Sequence, residues 1–119
     1  MSIEALWAVN FTGANGVRVA KSGGVIVVET GRVFGGDTWM WYTGKYKLDS
    51  SGVANCEITT GVHHTAGGES IFGGPLRPLQ MAGTLKIAPD HETMQAHLTV
   101  EGSPQMVLQA TLTRVAELP

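Results

Sequence analysis

The residues most able to do chemistry are four histidines, one cysteine and a scatter of carboxylates, and their spacing argues against a reactive centre. His63 and His64 are adjacent, with His91, His97 and Cys56 as further ligands elsewhere. Adjacent residues on a strand point to opposite faces, and no Cys or His pair has the spacing of a zinc site, so two polar strand-end residues are the simpler reading. No Gly-x-Ser-x-Gly elbow is present; Ser22-Gly23-Gly24 and Gly67-Gly68-Glu69-Ser70-Ile71 read as turns. Cys56 alternates with apolar residues that point inward, where a thiol is inert. Glu57 and Asp37 do not form a working carboxylate pair. Gly35-Gly36-Asp37 opens a strand, whereas a phosphate loop must open a helix, so these glycines are assigned to tight turns with positive φ. The expectation is a protein that is not an enzyme and holds neither cofactor nor metal.

The aromatic residues carry more information. Trp7, Phe11, Phe34, Trp39, Trp41 and Tyr42 all fall within the first 42 positions. On a strand, Trp39 and Trp41 share one face, and Met40 and Tyr42 share the other. Large aromatics serve core packing first, and a partner surface or the lining of a ligand cavity are the alternatives. Trp7 and Phe11 are the cavity candidates; Trp39, Met40, Trp41 and Tyr42 are candidates for contact with a partner or ligand. Because both faces of that strand are apolar, one needs a cover beyond its own core, and a second subunit would supply it.

The elements that must position these residues follow from size and pattern. A chain of 119 residues and 12.6 kDa is one domain, residues 1–119. Apolar residues at 43% against 15% charged suffice for a core, and a net charge of −2 without a basic stripe argues against direct nucleic-acid binding. A single cysteine excludes an internal disulfide and fits a reducing compartment. The opening residues lack the pattern of a secretory leader, and no apolar run is long enough to span a bilayer as a helix, so the expected location is cytoplasmic, without membrane contact.

Nearly every segment between glycine clusters alternates with period two, which predicts an all-β fold. Ala5, Trp7, Val9 and Phe11 share a face before a turn at Gly13-Ala14-Asn15-Gly16. Val17 and Val19 follow, then a turn at Ser22-Gly23-Gly24. Val25-Ile26-Val27-Val28 reads as a strand buried on both faces. Strands are expected from Thr38 to Leu48, Val53 to His64, Leu79 to Ile87, Thr93 to Val100 and Gln105 to Val115. Thr65 to Pro78, with Ile71, Phe72 and Leu76, reads as an irregular cover with one helical turn at most. About eight antiparallel strands in up-and-down order can close into a barrel or split into a sandwich; closure removes exposed edges and is the expected solution.

Several stretches together resemble the GrlR-like negative regulators of type III secretion, small bacterial proteins with a lipocalin-like barrel. They are Leu6-Trp7-x-Val9-x-Phe11, Gly24-Val25-Ile26-Val27-Val28, Gly31-Arg32-Val33-Phe34-Gly35-Gly36-Asp37, Tyr42-Thr43-Gly44-x-Tyr46 and Leu112-Thr113-Arg114-x-Ala116-Glu117-Leu118. The resemblance implies a cytoplasmic homodimer that holds a helix-turn-helix transcriptional activator away from DNA through protein–protein contact. The place matching an acidic turn in that family is Asp49-Ser50-Ser51-Gly52, where Asp49 is the one carboxylate and the partner candidate. The alternative function is a lipocalin-like carrier of a small apolar ligand.

Overall fold

The computed structural model describes residues 2–14, 23–64, 68–70, 72 and 74–119. Eight antiparallel strands close into a barrel in the order of the sequence. They are β1 (Ala5–Ala14), β2 (Gly23–Glu29), β3 (Arg32–Gly36), β4 (Met40–Leu48), β5 (Val53–Val62), β6 (Leu79–Ile87), β7 (Thr93–Val100) and β8 (Ser103–Ala116). β1 pairs with β2 on one side and with β8 on the other, and two register shifts, at Leu6/Trp7 and Phe11/Gly13, bend it around the seam. Among the described residues there is no helix, and so none long and apolar enough to cross a membrane.

The period-two pattern sorts side chains between core and solvent. On β5, Ala54, Cys56, Ile58 and Thr60 are buried while Asn55 and Glu57 face out; on β7, Met94, Ala96, Leu98 and Val100 are buried. β6 and β7 run as the pattern predicts, Leu79–Ile87 and Thr93–Val100. β8 begins earlier, at Ser103, because the turn needs only Glu101 and Gly102, the latter at φ 80°. The slip between Thr99 and Val100 then absorbs the extra residues.

Glycine accounts for the main corrections. Gly23 and Gly24 lie inside β2 and not in a turn, and Gly35 and Gly36 close β3. None of these four has positive φ; the described glycines that do are Gly31, Gly52, Gly74 and Gly102. What the four supply is close backbone approach: a Cβ on Gly35 would lie 2.0 Å from the Val25 carbonyl oxygen, and one on Gly24 2.3 Å from that of Gly36. The run Val25–Val28 is not buried on both faces. Ile26 and Val28 point inward, and Val25 remains 47% exposed. β4 starts at Met40 and not Thr38, and β5 ends at Val62 before His63. Of the expected early turns and strand, Asn15-Gly16, Val17, Val19 and Ser22 lie outside the described residues, as does Ile71; the described part of 65–78 contains no helical turn.

One end of the barrel is plugged. Trp7, Ala5, Val28, Ala54 and Met94 are fully buried there. The Trp7 indole Nε1–H donates to the Ile3 carbonyl at 2.9 Å, and the Arg114 guanidinium lies 4.9 Å from the ring centroid. Arg114 also donates through Nε to the His91 carbonyl at 3.0 Å and through Nη2 to the Ser2 carbonyl. One buried side chain thereby ties the end of β8 to the N-terminal segment and to the β6–β7 turn.

Candidate functional site

The inside of an eight-stranded barrel is just wide enough for side chains to fill it or for one small ligand. Here the plugged half is filled by large side chains. In the other half Cys56, Thr60, Ala96 and Ala110 are too small to meet across the axis. A cavity of about 420 Å³ remains, within the size range of small-molecule sites. Phe11, Ile26, Val33, Ile58, Leu98 and Leu108 form much of its wall. Its mouth is framed by Asp37, Trp39 and Tyr42 on the β3–β4 side and by Glu69, Phe72, Leu76 and Arg77 from the cover before β6.

Asp37 builds one side of that mouth. Its Oδ1 accepts the backbone N–H of Trp39 at 2.9 Å and of Met40 at 2.8 Å, while its own N–H donates to the Met40 carbonyl at 2.9 Å. This is an aspartate-capped turn, in which the side chain takes backbone donors that no strand partner reaches. Asp37 Oδ2 accepts the Tyr42 hydroxyl. The His63 ring Nε2 lies 2.9 Å from the Asp37 carbonyl, and the His63 N–H donates to the Trp39 carbonyl at 2.8 Å, so the end of β5 is tied to the same turn. Burial raises the Tyr42 phenol well above its ordinary value, and the Asp37 hydrogen bond and charge add to it.

The turn also separates the two tryptophans. The alternation expected from Thr38 put Trp39 and Trp41 on one face, but the strand begins only at Met40 and Trp39 belongs to the turn before it. Trp39 lines the cavity mouth, where a Cβ on Gly68 would come within 2.7 Å of its Cδ1 and 2.4 Å of Leu76 Cδ1; the cover is seated closely on both. Trp41 is outside, 41% exposed, with its ring over Gly61, whose Cβ would lie 2.1 Å from Cζ2. Met40 and Tyr42 line the cavity, as does Phe11.

Trp7 does not line the cavity and the expectation for it is corrected: the Ile3 and Arg114 contacts fix it in the plugged end. Asp49 lies far from the mouth, in the β4–β5 turn. Its Oδ1 accepts the Ser51 N–H at 2.8 Å, the Ser51 hydroxyl at 2.6 Å and the Val53 N–H at 3.2 Å. The Ser51 hydroxyl, followed by the Val53 and Ser51 N–H groups, holds its carboxyl below the usual range.

Cys56 lies in the cavity wall, and burial pushes its thiol up to about 11, against a smaller lowering by a backbone hydrogen bond with Gly83. Among the described residues no three His, Cys, Asp or Glu side chains gather as metal ligands. The pattern alone did not reveal the Asp37–Tyr42 pair, Thr60, or Glu69 and Arg77 at the mouth. The one available signal was an Asp after two glycines and before an aromatic strand, which marks an aspartate-capped turn. Together these features define a closed up-and-down barrel with one plugged end and one apolar chamber. No family model and no curated protein matches the chain.

Proposed function

We propose that the protein is a non-enzymatic binding barrel that encloses a small, largely apolar molecule in the chamber above Trp7. The observation that carries this reading is the cavity of about 420 Å³, bounded mainly by aliphatic and aromatic side chains and by a few polar groups confined to its mouth. Apolar walls supply affinity through burial, and a few fixed polar groups supply orientation. Titration with the neutral fluorophore N-phenylnaphthylamine tests it: saturable, blue-shifted emission is expected. Folded protein that gives no enhancement refutes it. Of the three tryptophans, Trp39 alone lines the chamber, so Trp39→Phe should abolish the ligand-dependent change in tryptophan emission while probe binding persists.

A second reading is supported by the outer face. Val25, Phe34 and Trp41 are 47%, 39% and 41% exposed. They lie on three neighbouring strands, Gly36 pairing with both Val25 and Trp41, and Phe34 with Val27. Exposed apolar side chains gathered on one face mark contact surfaces. With the resemblance to GrlR-like regulators, this strip supports a cytoplasmic homodimer that sequesters a helix-turn-helix activator without touching DNA. Sedimentation at micromolar concentration should give a dimer that Trp41→Ser dissociates, and a monomeric wild-type protein that retains no regulator from its own cell would count against it.

A further inference from the structure

We infer that the chamber, if it binds apolar ligands as proposed above, selects those whose polar end donates a hydrogen bond, an alcohol or an amine, and discriminates against carboxylic acids. The basis is how the protons at the mouth are spent. A tyrosine hydroxyl has one proton, and Tyr42 has given it to Asp37 Oδ2. What Tyr42 can offer a ligand is therefore a lone pair. Asp37 likewise acts as an acceptor: Oδ1 takes the N–H groups of Trp39 and Met40, and Oδ2 takes the Tyr42 hydroxyl and has a further lone pair. Thr60, also in the lining, is turned to the backbone, accepting the Leu79 N–H at 3.1 Å and donating to the Leu79 carbonyl at 3.4 Å. Asp37 and Tyr42 thus present acceptors to the chamber.

From the cover, the donor side chains Arg77 and Ser70 line the chamber together with Glu69. Ser70 Oγ accepts the Phe72 N–H at 3.2 Å. Counting the charged lining groups, two carboxylates, Asp37 and Glu69, face one guanidinium, Arg77. An anionic head brought among them meets an excess of like charge in a partly desolvated mouth, where such repulsion is weakly screened. A hydroxyl or ammonium head meets acceptors already held in place by the capped turn.

The experiment displaces N-phenylnaphthylamine with decanol, decylamine and decanoate, below their micellar concentrations and at about pH 8, where the amine and the acid are both ionised. Decanol and decylamine are expected to displace the probe at concentrations about tenfold or more below decanoate. The decisive variant is Asp37→Asn. Its Oδ1 still caps the turn, but its amide now donates to Tyr42, which frees the phenol proton to point at a ligand and removes one negative charge. The preference for decylamine over decanoate should collapse or reverse.

Tyr42→Phe provides a second, independent variant: it keeps the Asp37 charge, leaves Oδ2 without its donor, and should keep or widen the preference for the amine. Decanoate binding as well as decanol in the native protein, an unchanged order in Asp37→Asn, or a narrowed amine preference in Tyr42→Phe would each overturn the inference while leaving the carrier reading intact. Failure of the probe to bind at all removes the carrier reading itself and this inference with it.

Discussion

Replacing Trp7 by Phe separates the plug from the chamber, and its cost can be worked from the contacts. The indole N–H bond to the Ile3 carbonyl, 2.9 Å in a buried site, contributes about 1 kcal/mol. The smaller ring leaves roughly 40 Å³ unfilled, about 1 kcal/mol at about 24 cal/mol per Å³. The Arg114 guanidinium 4.9 Å from the ring loses about another 1 kcal/mol when indole becomes phenyl. The sum, about 3 kcal/mol, is a large share of the roughly 5–15 kcal/mol that holds a domain together. It should lower Tm by about 12 °C at about 4 °C per kcal/mol for a chain of this size. In urea, with a slope of about 2 kcal/mol per molar, the midpoint should fall by about 1.5 M. Unfolding can be followed through the two remaining tryptophans, Trp39 and Trp41. Because Trp7 does not line the chamber, probe affinity measured well below the transition should stay within about twofold of wild type. A variant that keeps its stability, or one that loses probe affinity while its stability is unchanged, would refute the assignment of Trp7 to the plug.

Three further perturbations check other parts of the barrel. Cys56 should resist a disulfide reagent at neutral pH and react fully in denaturant. Its pKa is raised from 9.0 to about 11, so the stabilisation linked to its neutral form is present below pH 9 and is lost as pH rises through about 11, with Tyr42 acting in the same direction; stability that increases between those pH values would contradict this. Gly35→Ala, which forces a Cβ to within 2.0 Å of the Val25 oxygen and 2.8 Å of Ile26 Cα, should cost more than about 2 kcal/mol, whereas Gly102→Ala, at φ 80° in open space, should cost about 1 kcal/mol; chemical denaturation giving the opposite order would show that the β2–β3 approach is not tight. Arg114→Lys loses the fork that reaches both the His91 and Ser2 carbonyls and should cost about 1–2 kcal/mol by the same assay, with a neutral result ruling out the strap.

The barrel was legible because its strands bury one face each. On β6 and β7 the alternation of Met81, Leu85, Met94, Ala96 and Leu98 with polar residues has a single reading, and both strands have the extents that pattern implies. Glycine was harder. A Gly-Gly pair is compatible with a turn or with two backbones in close approach, and Gly23-Gly24 and Gly35-Gly36 take the second role: Gly24 and Gly35 let β2 and β3 approach, Gly23 faces the Val9 carbonyl of β1, and Gly36 faces the Met40 carbonyl of β4. Alternation begun at Thr38 places Trp39 on the strand, but the Asp37 side chain caps the N–H groups of Trp39 and Met40 and so prolongs the turn until β4 starts at Met40. Trp7 was correctly inward, but its role depends on Arg114 at the other end of the chain, a tertiary fact that local pattern does not contain. The Asp37–Tyr42 bond is similar: the five-residue spacing becomes meaningful only once the intervening turn folds one side chain back onto the other.

Seven of the eight ladders join neighbours in the chain, and only the β1–β8 seam brings together segments about a hundred residues apart. The meander can zip progressively, but the seam must wait for nearly the whole polypeptide, so stopped-flow refolding is expected to show its closure as the slow step. Joining the segment after β8 to the one before β1, which Arg114 already holds near one another through Ser2, and reopening the chain at the β4–β5 turn would make the seam a local hairpin. Such a circular permutant would move the late event to the β4–β5 ladder and change the folding rate while preserving the chamber.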